Sequence, residues 1–184
     1  MDLGVKSLAV LSNHKMFEAL QPLKKSLSKL RRLQRKLARS EKGSKNRIKL
    51  VLEIGDLHRK IFNYRQNALH QLTNYLTTHF SRIVIEDLNV SGMLKNGKLA
   101  RCIADVGFYE FRRQLMYKAE QRGCEVIIAD RFYASSKTCG YCGEKNEELK
   151  LSDRRWKCPH CGAEIKDRDF NAAINLRRYT ERPD

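Results

Sequence analysis

The 184-residue chain contains no run of about 18 apolar residues, so no membrane-spanning helix is expected. Its N-terminus lacks the basic, apolar and small-residue order of a secretory signal, which points to a soluble chain of the cytoplasm or nucleoid. No internal repeat or low-complexity tract is present, which excludes a solenoid. Acidic residues are scarce: 21 Asp and Glu stand against 37 Lys and Arg, a formal charge of +16. Such an excess attracts polyanions and favours a nucleic-acid partner, although a ribosomal or membrane-surface protein can share it. Reducing compartments make a disulfide framework a poor reading of the six cysteines. Metal ligands and ordinary buried thiols remain.

Along the chain, "DLGVKSLAVLSN" predicts strand, tight turn and strand. Only Met1 precedes Asp2, whereas a buried strand usually needs about four residues. The chain is therefore expected to be the C-terminal part of a longer one. Leucines at 20, 23, 27, 30 and 37 draw an apolar seam on a basic helix. "SEKGSKN" breaks it, and Leu50, Ile54, Leu57, Ile61, Ala68, Leu72 and Leu76 mark a second helix, giving an antiparallel hairpin over about 20–80. "RIVIEDL" predicts a central strand ending in carboxylates, "SGMLKNGKLA" a loop, and Val106 to Gly123 one amphipathic helix stopped by glycine. "CEVIIAD" predicts a further buried strand. Strand, helix and strand with a helical insertion indicate an α/β domain.

Cys139 and Cys142 form one Cys-x-x-Cys, Cys158 and Cys161 another, with fifteen residues between the pairs. That spacing fits a four-thiolate zinc ribbon, and four sulfur ligands leave no open position for catalysis. His160 is expected to be an exposed knuckle residue, and Cys102 and Cys124 ordinary thiols. Trp156 and Tyr141 offer aromatic faces for bases, or packing for the ribbon.

Asp2, Glu86 and Asp169 each lie near a predicted strand or helix terminus. Together they could hold two Mg or Mn ions, one activating water and the other stabilising the leaving oxygen of a phosphodiester. From spacing alone they read better as a terminal charge, a strand-end charge and a helix N-cap. Asp87, Asp167 and Asp130 compete as neighbours; adjacent strand residues face opposite ways, so Glu86 and Asp87 cannot share a metal.

In order, "DLGVKSLAVLSN", "IVIEDLNVSGML", "FRRQLMYKAEQRG", "SSKTCGYCG" and "DRDFNAAINL" closely resemble the C-terminal half of the TnpB family. These are OrfB-type insertion-sequence transposases, relatives of the type V CRISPR nucleases. The resemblance implies a RuvC-like nuclease of RNase H fold, with a helical-hairpin insertion and an inserted zinc ribbon. The implied division is a nuclease core over 1–133, a ribbon over 134–166, and the last nuclease motif with a C-terminal helix over 167–184.

It also implies that Asp2, Glu86 and Asp169 are catalytic ligands of two Mg or Mn ions, and that Cys139, Cys142, Cys158 and Cys161 bind one zinc. Expected partners are DNA as substrate and, in the full-length protein, a guide RNA. Arg31, Arg32, Arg35, Lys36 and Arg39 are candidate phosphate contacts. The family's guide-reading N-terminal portion has no counterpart in this sequence, and an α-ammonium beside Asp2 would repel Mg; the chain alone is expected to be weak or inactive. The rival class is a non-enzymatic nucleic-acid-binding zinc-ribbon protein, a repressor or accessory relative. A basic zinc-ribbon protein of the translation machinery is a third reading.

Overall fold

The computed structural model describes residues 1–97, 99–150 and 152–179. Strands β1 (Asp2–Leu3), β2 (Ser7–Val10) and β3 (Met16–Glu18) form an antiparallel sheet in that order, with Asp2 opposite Val10. Helices α1 (Pro22–Arg39) and α2 (Lys45–His79) follow as a hairpin. Strand β4 (Arg82–Glu86) leads through α3 (Val90–Leu94), α4 (Ala100–Val106) and α5 (Phe108–Arg122) to β5 (Glu125–Ala129). β4 and β5 pair in parallel, placing Glu86 opposite Ala129. Short strands β6 (Trp156–Lys157) and β7 (Glu164–Ile165) precede α6 (Arg168–Arg178).

One core forms where α2 and α5 cover the strands: Leu8, Leu72, Leu76, Ile85, Phe111 and Leu115 are among its buried members. The outer hairpin has a smaller seam of Leu30, Leu33, Leu57 and Ile61. Leu20, expected on that seam, lies before α1 and is exposed, because the chain enters the helix through Gln21 in a left-handed conformation.

Gln21 supplies no side-chain cap. The cap comes instead from Asp105, far along the chain: its carboxylate accepts from the Leu23 and Lys24 backbone N–H groups at 3.1 and 3.0 Å and pairs with Arg65 at 3.0 Å. Asp105 is 2% exposed, so it clamps the hairpin root to the core through one buried carboxylate. Removing one member of a buried pair costs about 3–5 kcal/mol. Asp105→Ala is therefore expected to lower the melting temperature by about 10 °C. A melt unchanged within about 2 °C would exclude the clamp.

The stretch expected as a loop holds α3 and the start of α4, and the single helix expected from Val106 is divided at Gly107. Gly107 adopts φ 78° there, ending α4 and redirecting the chain into α5. Residues 180–184, part of the expected C-terminal segment, lie outside the described residues. Among the described residues no helix is long and apolar enough to cross a membrane.

Candidate functional site

Three elements distant in sequence bring Asp2, Glu86 and Asp169 together. Asp2 lies on β1, Glu86 ends β4, and Asp169 sits in the first turn of α6. All three line one polar cavity of about 240 Å³, together with Arg154, Arg168 and Ser136. Burial, followed by the charges of Glu86 and Asp169, pushes the Asp2 carboxyl up to about 8. Burial also raises Glu86, against a 2.6 Å hydrogen bond donated by Ser135 Oγ. A cluster of carboxylates that resists ionisation without a counter-ion suits a cation.

Part of that positive charge is already supplied by the chain. Arg154 Nη1 reaches both oxygens of Asp169, at 2.6 and 2.9 Å. Sequence reading missed Arg154 because it belongs to the cysteine-bearing segment and meets Asp169 only through folding. Ser135 was missed for the same reason.

The neighbouring carboxylates take other tasks. Asp167 is the N-cap of α6 and accepts from the Asp169 and Phe170 N–H groups, leaving Asp169 free to face the cavity. Asp87 turns away from Glu86 and binds Arg112 and Arg131. Asp130 accepts from Phe132 N–H in a local turn.

The Met1 amine was expected to place positive charge beside the acidic set. It is buried and donates to Val84 O at 2.8 Å, and burial lowers it to about 6. At neutral pH it is therefore mostly uncharged, and the expected repulsion of a cation is largely removed.

The raised Asp2 value has a consequence for stability. A carboxyl with an ordinary value of 3.8 and a folded value near 8 is protonated in the fold when it is ionised in the unfolded chain. Its contribution is fully present below about pH 4 and is lost as pH rises through about 8. The amine works the opposite way between 6 and 8, so the clean window is pH 4 to 6. Without added magnesium, Asp2→Asn should gain about 5 °C in melting temperature relative to the parent across that window. Parallel melting curves for both chains would refute the raised value.

The four cysteines meet as their spacing predicts. Their sulfurs all lie within 4.8 Å of one another, making a set able to hold a metal ion. Cys139 Sγ is 3.8 Å from Cys161 Sγ, and Cys142 Sγ is 3.7 Å from Cys158 Sγ. Backbone N–H groups, that of Cys161 foremost and then that of His160, hold the Cys158 thiol down at about 6, while Cys142, despite a backbone hydrogen bond from Glu144, is pushed up to about 12 by burial and the neighbouring thiols, so the cluster without a cation favours one thiolate and not four. Among the described residues these four cysteines are the set of three or more His, Cys, Asp or Glu gathered tightly enough to hold a metal ion.

Trp156 packs with Ala163 against Cys139, Cys158 and Ile165, whereas Tyr141 is 73% exposed. His160 is exposed as expected. The cysteine unit docks onto α6 by buried amides: Asn171 Nδ2 donates to Thr138 O and its Oδ1 accepts from Gly140 N–H, while Asn175 Nδ2 donates to Ser135 O and Thr138 O. A Cβ on Gly140 would lie 2.8 Å from Asn171 Oδ1, so this close approach requires glycine. Arg31, Arg32, Arg35, Lys36 and Arg39 are all exposed on α1, away from this docking surface.

Residues 1–97 match the OrfB/IS605 family model described as "Probable transposase", and residues 108–176 match the "Cas12f1-like, TNB domain" model. A Streptomyces pristinaespiralis protein named "Putative RNA-guided DNA endonuclease" is 40% identical over 96% of this chain and 43% of its own length. "Putative RNA-guided DNA endonuclease InsQ" of Escherichia coli K12 is 38% identical over 96% of this chain and 47% of its own. The chain thus spans less than half the length of these relatives.

Two cryo-EM structures share the fold. A CRISPR-Cas12f ternary complex aligns with TM-score 0.68 at 23% identity, over 95% of this chain and 37% of that one. A Cas12f1-sgRNA-target DNA complex aligns with TM-score 0.64 at 19% identity, over 95% and 47%.

Proposed function

Because the chain belongs to the OrfB/IS605 transposase family, the TnpB-type proteins related to type V CRISPR nucleases, we propose that it is a RuvC-like, metal-dependent DNA endonuclease domain. The observation that carries this reading is the convergence of Asp2, Glu86 and Asp169 on one polar cavity. Asp2 and Glu86 resist ionisation there, so a divalent cation would gain by pairing with them. Mg or Mn suits such hard oxygen donors, and when bound supplies an activated water and charge neutralisation at the leaving oxygen.

The chain's own residues prepare that site. Ser135 fixes the Glu86 carboxylate by its 2.6 Å bond, and Asp167 aims the first turn of α6 so that Asp169 faces the cavity. Arg154 holds Asp169 and can turn its remaining N–H groups to a substrate phosphate. The four thiolates fit one structural zinc, closed to substrate. That brace sets Arg154 and Ser135 against the carboxylates. The exposed cations of α1 are positioned for phosphate contacts with guide RNA or DNA, read by charge and not by base.

The test compares magnesium- or manganese-dependent cleavage of single-stranded DNA, and Mn binding by calorimetry, between this chain and Asp169→Ala. Loss of both in the variant supports the nuclease. Equal cleavage and equal Mn binding would overturn it; nucleic-acid binding with neither would leave the non-enzymatic reading.

A further inference from the structure

The turn that follows β5 carries Phe132, which is 88% exposed, more than any other large apolar side chain among the described residues. Scattered exposed apolar residues are ordinary. This one differs in how it is held and in what flanks it. Asp130 Oδ1 accepts from Phe132 N–H at 2.7 Å and Asp130 O from Tyr133 N–H at 3.0 Å, closing a tight turn. Tyr133 is anchored in turn, through its hydroxyl to Asn175 O at 3.1 Å and by edge contact with Tyr179. The fold therefore fixes an apolar ring in water.

Two cations flank the ring. Asp87 receives Arg112 Nη1 at 3.1 Å and Arg131 Nη2 at 2.5 Å, so one carboxylate pins both guanidinium groups. Each arginine keeps about half its side chain exposed, at 45% and 50%, with N–H groups left for another acceptor. Asp87, both arginines, Asp130 and Phe132 line an open depression of about 460 Å³.

Its position is defined by register. Ala129 is opposite Glu86, and Phe132 follows Ala129 by three residues, a reach of at most about 11 Å. Ser135, three residues further, binds Glu86 directly. The depression thus opens at the C-terminal ends of the parallel strands, on the α5 side, whereas the carboxylate cavity opens on the α6 side of the same strand ends.

We propose that Phe132 is a base-stacking platform for single-stranded DNA, with Arg131 and Arg112 gripping the adjoining phosphates. A flat apolar ring beside fixed cations matches an unpaired nucleotide, apolar on the base face and anionic on the backbone. Stacking tolerates any base, as a nuclease reading no sequence of its own requires. Pinning by Asp87 orders the arginines before the strand arrives and lowers the ordering cost of binding. The platform deepens the nuclease reading and rests on it for its biological role, since the strand it holds passes the end of β4 that carries Glu86.

The experiment measures binding of labelled single-stranded DNA by anisotropy, with no added magnesium, across a salt series. Phe132→Ala should weaken binding about 5- to 150-fold, the range for one lost stack, with an unchanged salt slope. Phe132→Trp should restore it. Arg131→Ala should instead reduce the salt slope by about 0.7, the value for one phosphate contact to a single strand. A strand whose bases are replaced by abasic sites should bind the parent and Phe132→Ala equally.

Parent-like binding by Phe132→Ala, or an equal loss on the abasic strand, overturns the platform. A loss confined to an RNA strand of the same sequence overturns the DNA assignment. Stacking present while Asp169→Ala still cleaves would refute the nuclease reading and leave the platform standing; the reverse pattern would remove the platform alone.

Discussion

Removing zinc from reduced protein with a chelator should unfold residues 134–166. Their own core is small: Cys139, Cys158 and Ile165 are buried, with Trp156 and Ala163 partly so. Among the described residues their regular structure amounts to two residues in each of β6 and β7 and one bridge between Thr138 and Lys145. A core this small cannot offset the entropy of ordering the segment, whereas a structural zinc contributes about 10–16 kcal/mol of apparent binding energy in small domains.

The loss should spread beyond the ribbon. Asn171 and Asn175 satisfy their buried amides on Ser135, Thr138 and Gly140, so melting that segment leaves α6 with unpaired polar groups. Hydrogen exchange should show lost protection in 134–166 and reduced protection in α6, while α1 and α2 stay protected. Cys139→Ser should mimic chelation and Cys102→Ser should not. Metal analysis should find about one zinc per chain. Retained protection after complete chelation would show that the four thiols are not the brace.

Asp169→Ala should abolish whatever magnesium-dependent DNA cleavage this chain shows, weak as it is expected to be, and Glu86→Ala should do the same. The double variant should be no worse than either, because ligands of one site act as a unit. A second signature separates this from a folding defect. Asp169 raises the cost of ionising both Asp2 and Glu86. Its removal should therefore stabilise the metal-free chain, or leave it unchanged, while abolishing the stabilisation that magnesium gives the parent. A variant that lost cleavage but kept its magnesium-dependent melting shift would exclude Asp169 as a ligand. Both measurements need unchanged zinc content, since Arg154 ties Asp169 to the ribbon.

Much of this organisation was legible locally. The leucine spacing announced α1 and α2, and the apolar run before Glu86 announced β4, because each pattern is the period of the element it forms. Paired Cys-x-x-Cys motifs announced the sulfur cluster, since two residues between thiolates is already the local geometry of a knuckle. Strand β3 escaped notice: it is three residues long and mostly exposed, so it carries too little alternation to read.

The acidic site shows the boundary most clearly. Residue type and spacing left Asp87 and Asp167 as rivals of Glu86 and Asp169, and the family resemblance favoured Glu86 and Asp169. The fold adds what the rivals do instead: Asp167 spends its carboxylate on the α6 N-cap, and Asp87 faces the two arginines.

By itself, then, the sequence determined the helical hairpin, the β4 and β5 strands, the four-sulfur cluster and the polyanion-seeking charge. Each depends on short-range periodicity, fixed spacing or composition. Tertiary structure alone decided that Asp105 caps α1, that Arg154 and Ser135 meet Asp169 and Glu86, and that Phe132 stands exposed in the turn after β5. Those contacts join residues 15 to 82 positions apart or depend on what fails to cover a side chain, and no local pattern encodes either.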